Sequence, residues 1–88
     1  MNKYIVEFFG TLFLVIVVLT TNDALPIGLA LALAVILGGS ISGGNFNPAV
    51  SISMFLNNKL SQKDLLLYIL SQISGAVAAL QLSKYIKH

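Results

Sequence analysis

Charge is scarce in this sequence, and where it falls constrains the fold more than anything else. From Phe8 to Ser83 the only charged residues are Asp23, Lys59, Lys63 and Asp64. They leave three uncharged stretches, residues 8–22, 24–58 and 65–83. Only 9% of the 88 residues are charged and 57% are hydrophobic, where a soluble domain carries about 25% charged residues. A soluble chain of this length would bury about 60% of its unfolded surface, too little to hide so much apolar side chain. The pattern argues against a soluble globular enzyme and for a membrane protein.

Composition closes other routes. There is no Cys, and the single His is His88, so neither a thiolate nor a histidine cluster is available and no metal or cofactor is expected. Five Lys and no Arg give a net charge of +2, too little and too dispersed for a nucleic-acid surface. No paired carboxylates or nucleophile–base arrangement stands ready for catalysis.

The uncharged stretches divide into helices. A first span is expected over residues 4–21, about 27 Å at 1.5 Å per residue, close to the hydrocarbon thickness. A signal peptide would also open with a lysine before an apolar run, but Glu7 sits badly in one and no small-x-small cleavage site follows. A second span is expected over residues 26–39, after a polar turn ending in Pro26, and a third over residues 64–85. Ser61-x-x-Asp64 reads as a capping box before the third span. Ser71, Gly75 and Ala79 form a small-residue stripe for close helix packing.

Between the second and third spans, Gly38-Gly39-Ser40-Ile41-Ser42-Gly43-Gly44-Asn45-Phe46-Asn47-Pro48 is expected to interrupt the helix. Pro48 suits the first turn of a new helix with Asn47 as its N-cap. That helix, residues 48–57, is about 15 Å long, half a bilayer. A re-entrant half-helix is the reading that fits, and irregular backbone at membrane depth survives only inside protein or beside a water-filled cavity. Residues 1–88 therefore read as one unit: an all-α membrane protein of three transmembrane helices and one re-entrant half-helix.

The segment Ser42-Gly43-Gly44-Asn45-Phe46-Asn47-Pro48-Ala49-Val50-Ser51 resembles the first signature of the aquaporin and glycerol-facilitator family, with Asn47-Pro48-Ala49 at its core. Glu7-Phe8-Phe9-Gly10-Thr11, Gly28-Leu29-Ala30 and Gln72-Ile73-Ser74-Gly75-Ala76 resemble the family's first-, second- and third-helix motifs, in the family's order. Together they cover essentially the whole chain, as the N-terminal half of an aquaporin-like inverted repeat.

The resemblance implies a passive channel for water or small neutral solutes such as glycerol and urea. Asn47, Pro48 and Ala49 would line the pore, joined by the backbone carbonyls of Gly43, Gly44, Asn45 and Phe46. Glu7 would brace the loop by accepting hydrogen bonds from its amides, and Gln72 would bond to the same loop. By the family's spacing the selectivity filter would comprise Ile27 of one chain with Val35, Gly44 and Val50 of another, all apolar or without a side chain. Val50 stands at the position equivalent to the Arg that follows the family's second Asn-Pro-Ala, and Asn45 stands where a His is common.

One half-helix reaches only mid-membrane, so a second must enter from the opposite face. With the N-terminus inside, Lys3, Lys59 and Lys63 lie on the inner face, and Lys84 and Lys87 on the outer. This near balance permits insertion in both orientations. The leading expectation is an antiparallel homodimer around one pore, extended by the resemblance to four such dimers side by side, in the lipid bilayer of the plasma membrane. Two alternatives stand beside it: a non-conducting or partner-dependent half-channel subunit, and a dual-topology exchanger coupled to Glu7. The tyrosines Tyr4, Tyr68 and Tyr85 read as interface anchors, and His88 as a solvated terminus.

Overall fold

The structure is a computed structural model describing residues 1–86; Lys87 and His88 lie outside the described residues. Its elements are α1 (Lys3–Thr20), α2 (Ala24–Ser42), α3 (Pro48–Leu56) and α4 (Gln62–Ser83). The described residues form no strand. Helices α1, α2 and α4 are each long and apolar enough to cross a membrane, while α3 has nine residues.

Each helix starts at a side-chain cap. Asn2 accepts from the Tyr4 amide, Asp23 from Leu25, Asn47 from Ala49 and Ser61 from Asp64, satisfying donors that the first turn leaves open. The Asp23 cap starts α2 two residues before Pro26, which then falls in the first turn, where it forfeits no intrahelical bond. Only half of the expected capping box forms at α4. The Asp64 carboxylate turns away from Ser61 and accepts from Lys3 Nζ and Tyr4 OH, each at 2.6 Å.

Helix α2 runs through Gly38 and Gly39 to Ser42, so the expected interruption at Gly38 is corrected. A Cβ on Gly38 would lie 2.6 Å from Val6 Cγ1. Glycine here buys close approach to α1, and the packing offsets its low helix propensity of about 1 kcal/mol relative to Ala. The helix ends instead at Gly43, in the left-handed region with φ 90°, a conformation open to glycine as a helix stop.

Helix α1 packs on both α2 and α4, and α3 packs on α4. Small residues make these contacts possible. Ala30, Ala34, Gly38 and Ser42 are the buried residues of α2, and Tyr68, Gln72, Gly75 and Ala79 those of α4. A Cβ on Gly75 would lie 2.5 Å from the Phe8 carbonyl oxygen and 3.2 Å from the Leu12 amide nitrogen, so the α1 backbone passes directly over this glycine. Ser71, expected on the same packing stripe, is half-buried and bonds its own helix at Leu67 O.

Most apolar side chains point outward. Ile36, Leu37, Leu25 and Leu56 are each at least two-thirds exposed, as befits helices whose surroundings are lipid or another subunit rather than water. Tyr68 departs from the expected interface role: it is 2% exposed and donates its hydroxyl to Ser42 O at 2.6 Å, joining α4 to the end of α2.

Candidate functional site

The polar centre of the molecule is the Glu7 carboxylate, fully buried one turn into α1. It accepts four hydrogen bonds, from Ser42 Oγ at 2.7 Å, Asn45 N at 3.2 Å, Phe46 N at 2.8 Å and Gln72 Nε2 at 2.8 Å. A carboxylate offers about four lone-pair sites, so these donors occupy its capacity. They come from α2, the loop after it and α4. One buried group thus joins three separate parts of the chain.

A second node lies beside it. Ser51, in the first turn and a half of α3, is fully buried and accepts from Gln72 Nε2 at 2.8 Å and Asn45 Nδ2 at 3.0 Å. Gln72 therefore bonds Glu7 and Ser51 and reaches the loop through them. Gln72 lies ten residues after Gln62, about 15 Å along a helix of roughly 33 Å. The start of α3 is thereby fastened to the middle of α4.

The loop is sorted by polarity. The Gly43 amide donates to Gly39 O, the Gly44 amide to Ser42 Oγ, and the next two to Glu7. Among the described residues, no donor meets the carbonyls of Gly43, Gly44, Asn45 or Phe46. At the start of α3, Asn47 Oδ1 is held by the Ala49 amide at 2.8 Å, which leaves its Nδ2 donors free on an exposed residue. A row of open acceptors thus leads to open donors at a helix N-terminus, which carries roughly +0.5 elementary charge.

The site residues expected from sequence divide into inward and outward sets. Asn47, Ala49 and Val50 are exposed, and Pro48 is half-buried. Gly43 is exposed and Gly44 half-buried, whereas the side chains of Asn45 and Phe46 are buried, so those two residues can present only backbone outward. Val35 lies against Gly44, whose added Cβ would be 3.3 Å from Val35 Cγ2. Ile27 is eight residues before Val35 on α2, about 12 Å away along the axis, and belongs to no single-chain cluster with it. Sequence reasoning passed over Ser42, Ser51 and Tyr68 as network members. Tyr68 could have been found as a polar residue one turn before Gln72, on the face the two share; Ser51, fully buried one turn after the exposed Asn47, gave no such signal.

No group of three or more His, Cys, Asp or Glu that could hold a metal exists among the described residues. The site offers hydrogen bonds and an oriented helix end.

Three membrane-length helices and a nine-residue helix packed on the last of them, with a glycine-containing loop hung from a buried carboxylate, define a polytopic membrane protein. Residues 1–88 match the family model described as "Major intrinsic protein", and the chain belongs to that family. It is 44% identical over 88 residues to glycerol uptake facilitator protein-like 6 of Lactiplantibacillus plantarum, and 37% identical over 94 residues to aquaporin Z of Brucella melitensis. In each case the match covers 90% of this chain and 41% of the relative. A third relative, aquaporin-8 of Notomys alexis, is 42% identical over 65 residues, covering 74% of this chain and 25% of its own length. The chain thus spans about two fifths of the first two relatives.

Proposed function

We propose that two copies of this unit, inserted in opposite orientations, enclose a passive channel for water or small neutral solutes. The observation that carries this reading is the unpaired polar edge: four free loop carbonyls and the free Asn47 amide, on a segment fastened at mid-height of α4. Unsatisfied backbone groups facing hydrocarbon cost several kcal/mol each, so this edge calls for water and an enclosing partner. An inverted second copy brings its own half-helix from the opposite face. Two positive helix ends then meet near the midplane, where they orient passing water and repel cations and protons. Asn47, Pro48 and Ala49 line that meeting point, with the carbonyls of Gly43, Gly44, Asn45 and Phe46 as the acceptor row. Ile27 of one copy, with Val35, Gly44 and Val50 of the other, forms an apolar constriction at each mouth.

The names of the relatives, a glycerol uptake facilitator-like protein and two aquaporins, support the same solute class. The Glu7 carboxylate, bonded to four donors from the loop, the end of α2 and α4, fits a bracing role and so supports a channel over an exchanger. Glu7 and Gln72 serve as the brace of the loop.

The test is stopped-flow light scattering on liposomes containing only this chain, under water, glycerol and urea gradients, beside Asn47→Asp. Rapid flux that the variant lowers, with no dependence on a proton gradient, supports the channel. Folded protein that passes none of the three solutes refutes the self-paired channel and favours a half-channel that needs a different partner.

A further inference from the structure

We propose that Phe46 is the positioning residue for Asn47: its ring, seated in a slot cut by two glycines, sets how far the half-helix reaches toward the membrane centre. The inference rests on the channel reading only where it concerns solute selection; the placement of Asn47 stands apart from it.

The ring is 2% exposed and packs with Val6 and Ala34. Its seat exists because Gly10 of α1 and Gly38 of α2 lack side chains. A Cβ on Gly10 would overlap the ring, and one on Gly38 would come within 3.4 Å of its Cζ atom. No other loop residue is anchored by apolar packing, since Gly43 and Gly44 have no side chain and Asn45 is held by hydrogen bonds. Phe46 also has φ 54°, in the left-handed region that non-glycine residues seldom occupy. The ring is held by the slot and the Phe46 amide by Glu7 at 2.8 Å. Between them they fix both ends of a turned residue, and the next residue is Asn47. A bulky aromatic in a rigid pocket resists displacement, because close-packed interiors transmit strain rather than absorb it.

Between two inverted copies, any change in the height of Asn47 counts twice in the gap separating the two amides. Phe46 would then govern solute size at the centre without touching the solute.

Because the chain contains no Cys, a single Ala49→Cys substitution gives a clean reporter at the start of α3. Thiolate reactivity at a helix N-terminus depends on its position there. The reporter is combined with Gly10→Ala, with Phe46→Leu, and with both, in liposomes, using a small water-soluble thiol reagent. Glycerol-to-water flux ratios are read in parallel on the same variants without the cysteine. Gly10→Ala overpacks the slot and is expected to change the labelling rate about tenfold. Adding Phe46→Leu, which removes two of the three overlapping ring atoms, is expected to return both the labelling rate and the flux ratio toward the parent. Should Gly10→Ala fail to fold, Phe46→Leu alone must still shift the labelling rate. Unchanged labelling in Gly10→Ala, or in Phe46→Leu, overturns the proposal, as does a double variant no closer to the parent than Gly10→Ala. If the parent passes no solute, the channel reading fails while the labelling series still decides the role of Phe46.

Discussion

Replacing Glu7 by Gln tests the centre of the structure most directly. The carboxylate accepts from two donors on each oxygen: Phe46 N and Gln72 Nε2 on Oε1, Ser42 Oγ and Asn45 N on Oε2. A glutamine keeps one acceptor oxygen and presents an NH2 group in place of the other. If its oxygen takes the Oε1 position, Phe46 and Gln72 remain bonded, and the Ser42 hydroxyl can rotate to accept from the new NH2 group. The Asn45 amide has no such option and faces a donor. One buried unpaired donor costs about 1–3 kcal/mol, and bonds to a neutral acceptor are weaker than those to a charged one by about 1 kcal/mol each. The unfolded chain in a membrane also finds partners, which lowers the net loss. About 3 kcal/mol is the expected destabilisation. Equilibrium unfolding in mixed micelles, followed by far-ultraviolet circular dichroism, measures it. Liposome flux should fall with the loosened loop and stay insensitive to a proton gradient. A variant as stable as the parent within about 0.5 kcal/mol would refute the reasoning. Retained stability with flux that loses a proton dependence would restore the exchanger.

Two further outcomes follow from the packing and the proposed pairing. Gly75→Ala forces a Cβ to within 2.5 Å of the Phe8 carbonyl oxygen, so it should cost about 1–3 kcal/mol; Gly28→Ala, with nothing within 4 Å of its Cβ, should be neutral or stabilise by about 0.5–1 kcal/mol. Thermal unfolding of the two variants side by side distinguishes a packing effect from a general intolerance of alanine. Two copies joined directly in tandem should conduct, since three spans per copy reverse the second; an extra transmembrane helix in the linker forces both copies parallel and should abolish flux in the same liposome assay.

How much of this was legible in the sequence depends on the kind of force involved. The spans and the half-helix could be read because charge gaps, Asn47-Pro48 and the cap residue Ser61 are local signals. The end of α2 could not. Gly38 and Gly39 read as a break by propensity, yet the space that Gly38 gives to Val6 and Phe46 is a tertiary gain that no local pattern displays. Glu7 stood out as an ionisable group in an apolar run. That Ser42, Ser51 and Gln72 would share its network depends on which turns of α2, α3 and α4 face α1, which spacing alone leaves open. Tyr68 misled for the same reason: a tyrosine near a span's start fits a headgroup anchor, and only packing reveals that its hydroxyl reaches Ser42 O. Asp64 fits a capping box by spacing, but it answers to Lys3 and Tyr4 across the helix pair.

The sorting of the loop is the ground for proposing an inverted partner rather than a parallel one. Amide donors turn inward to Gly39, Ser42 and Glu7, while the carbonyls stay open. The polar edge consists of that acceptor row and the N-terminus of α3, and α3 is only about 14 Å long. Along the remaining depth the residues of α2 on the Val35 face are Ile27, Gly28 and Leu31, which offer water nothing. A parallel copy would repeat the same polar half and leave the same apolar half unrelieved. An inverted copy sets its acceptor row against that apolar half and brings the two helix N-termini together where the rows meet. In the proposed pair, every polar group that the loop leaves open would face one continuous path, and the electrostatic barrier would fall at its centre, where a cation has least access to bulk water.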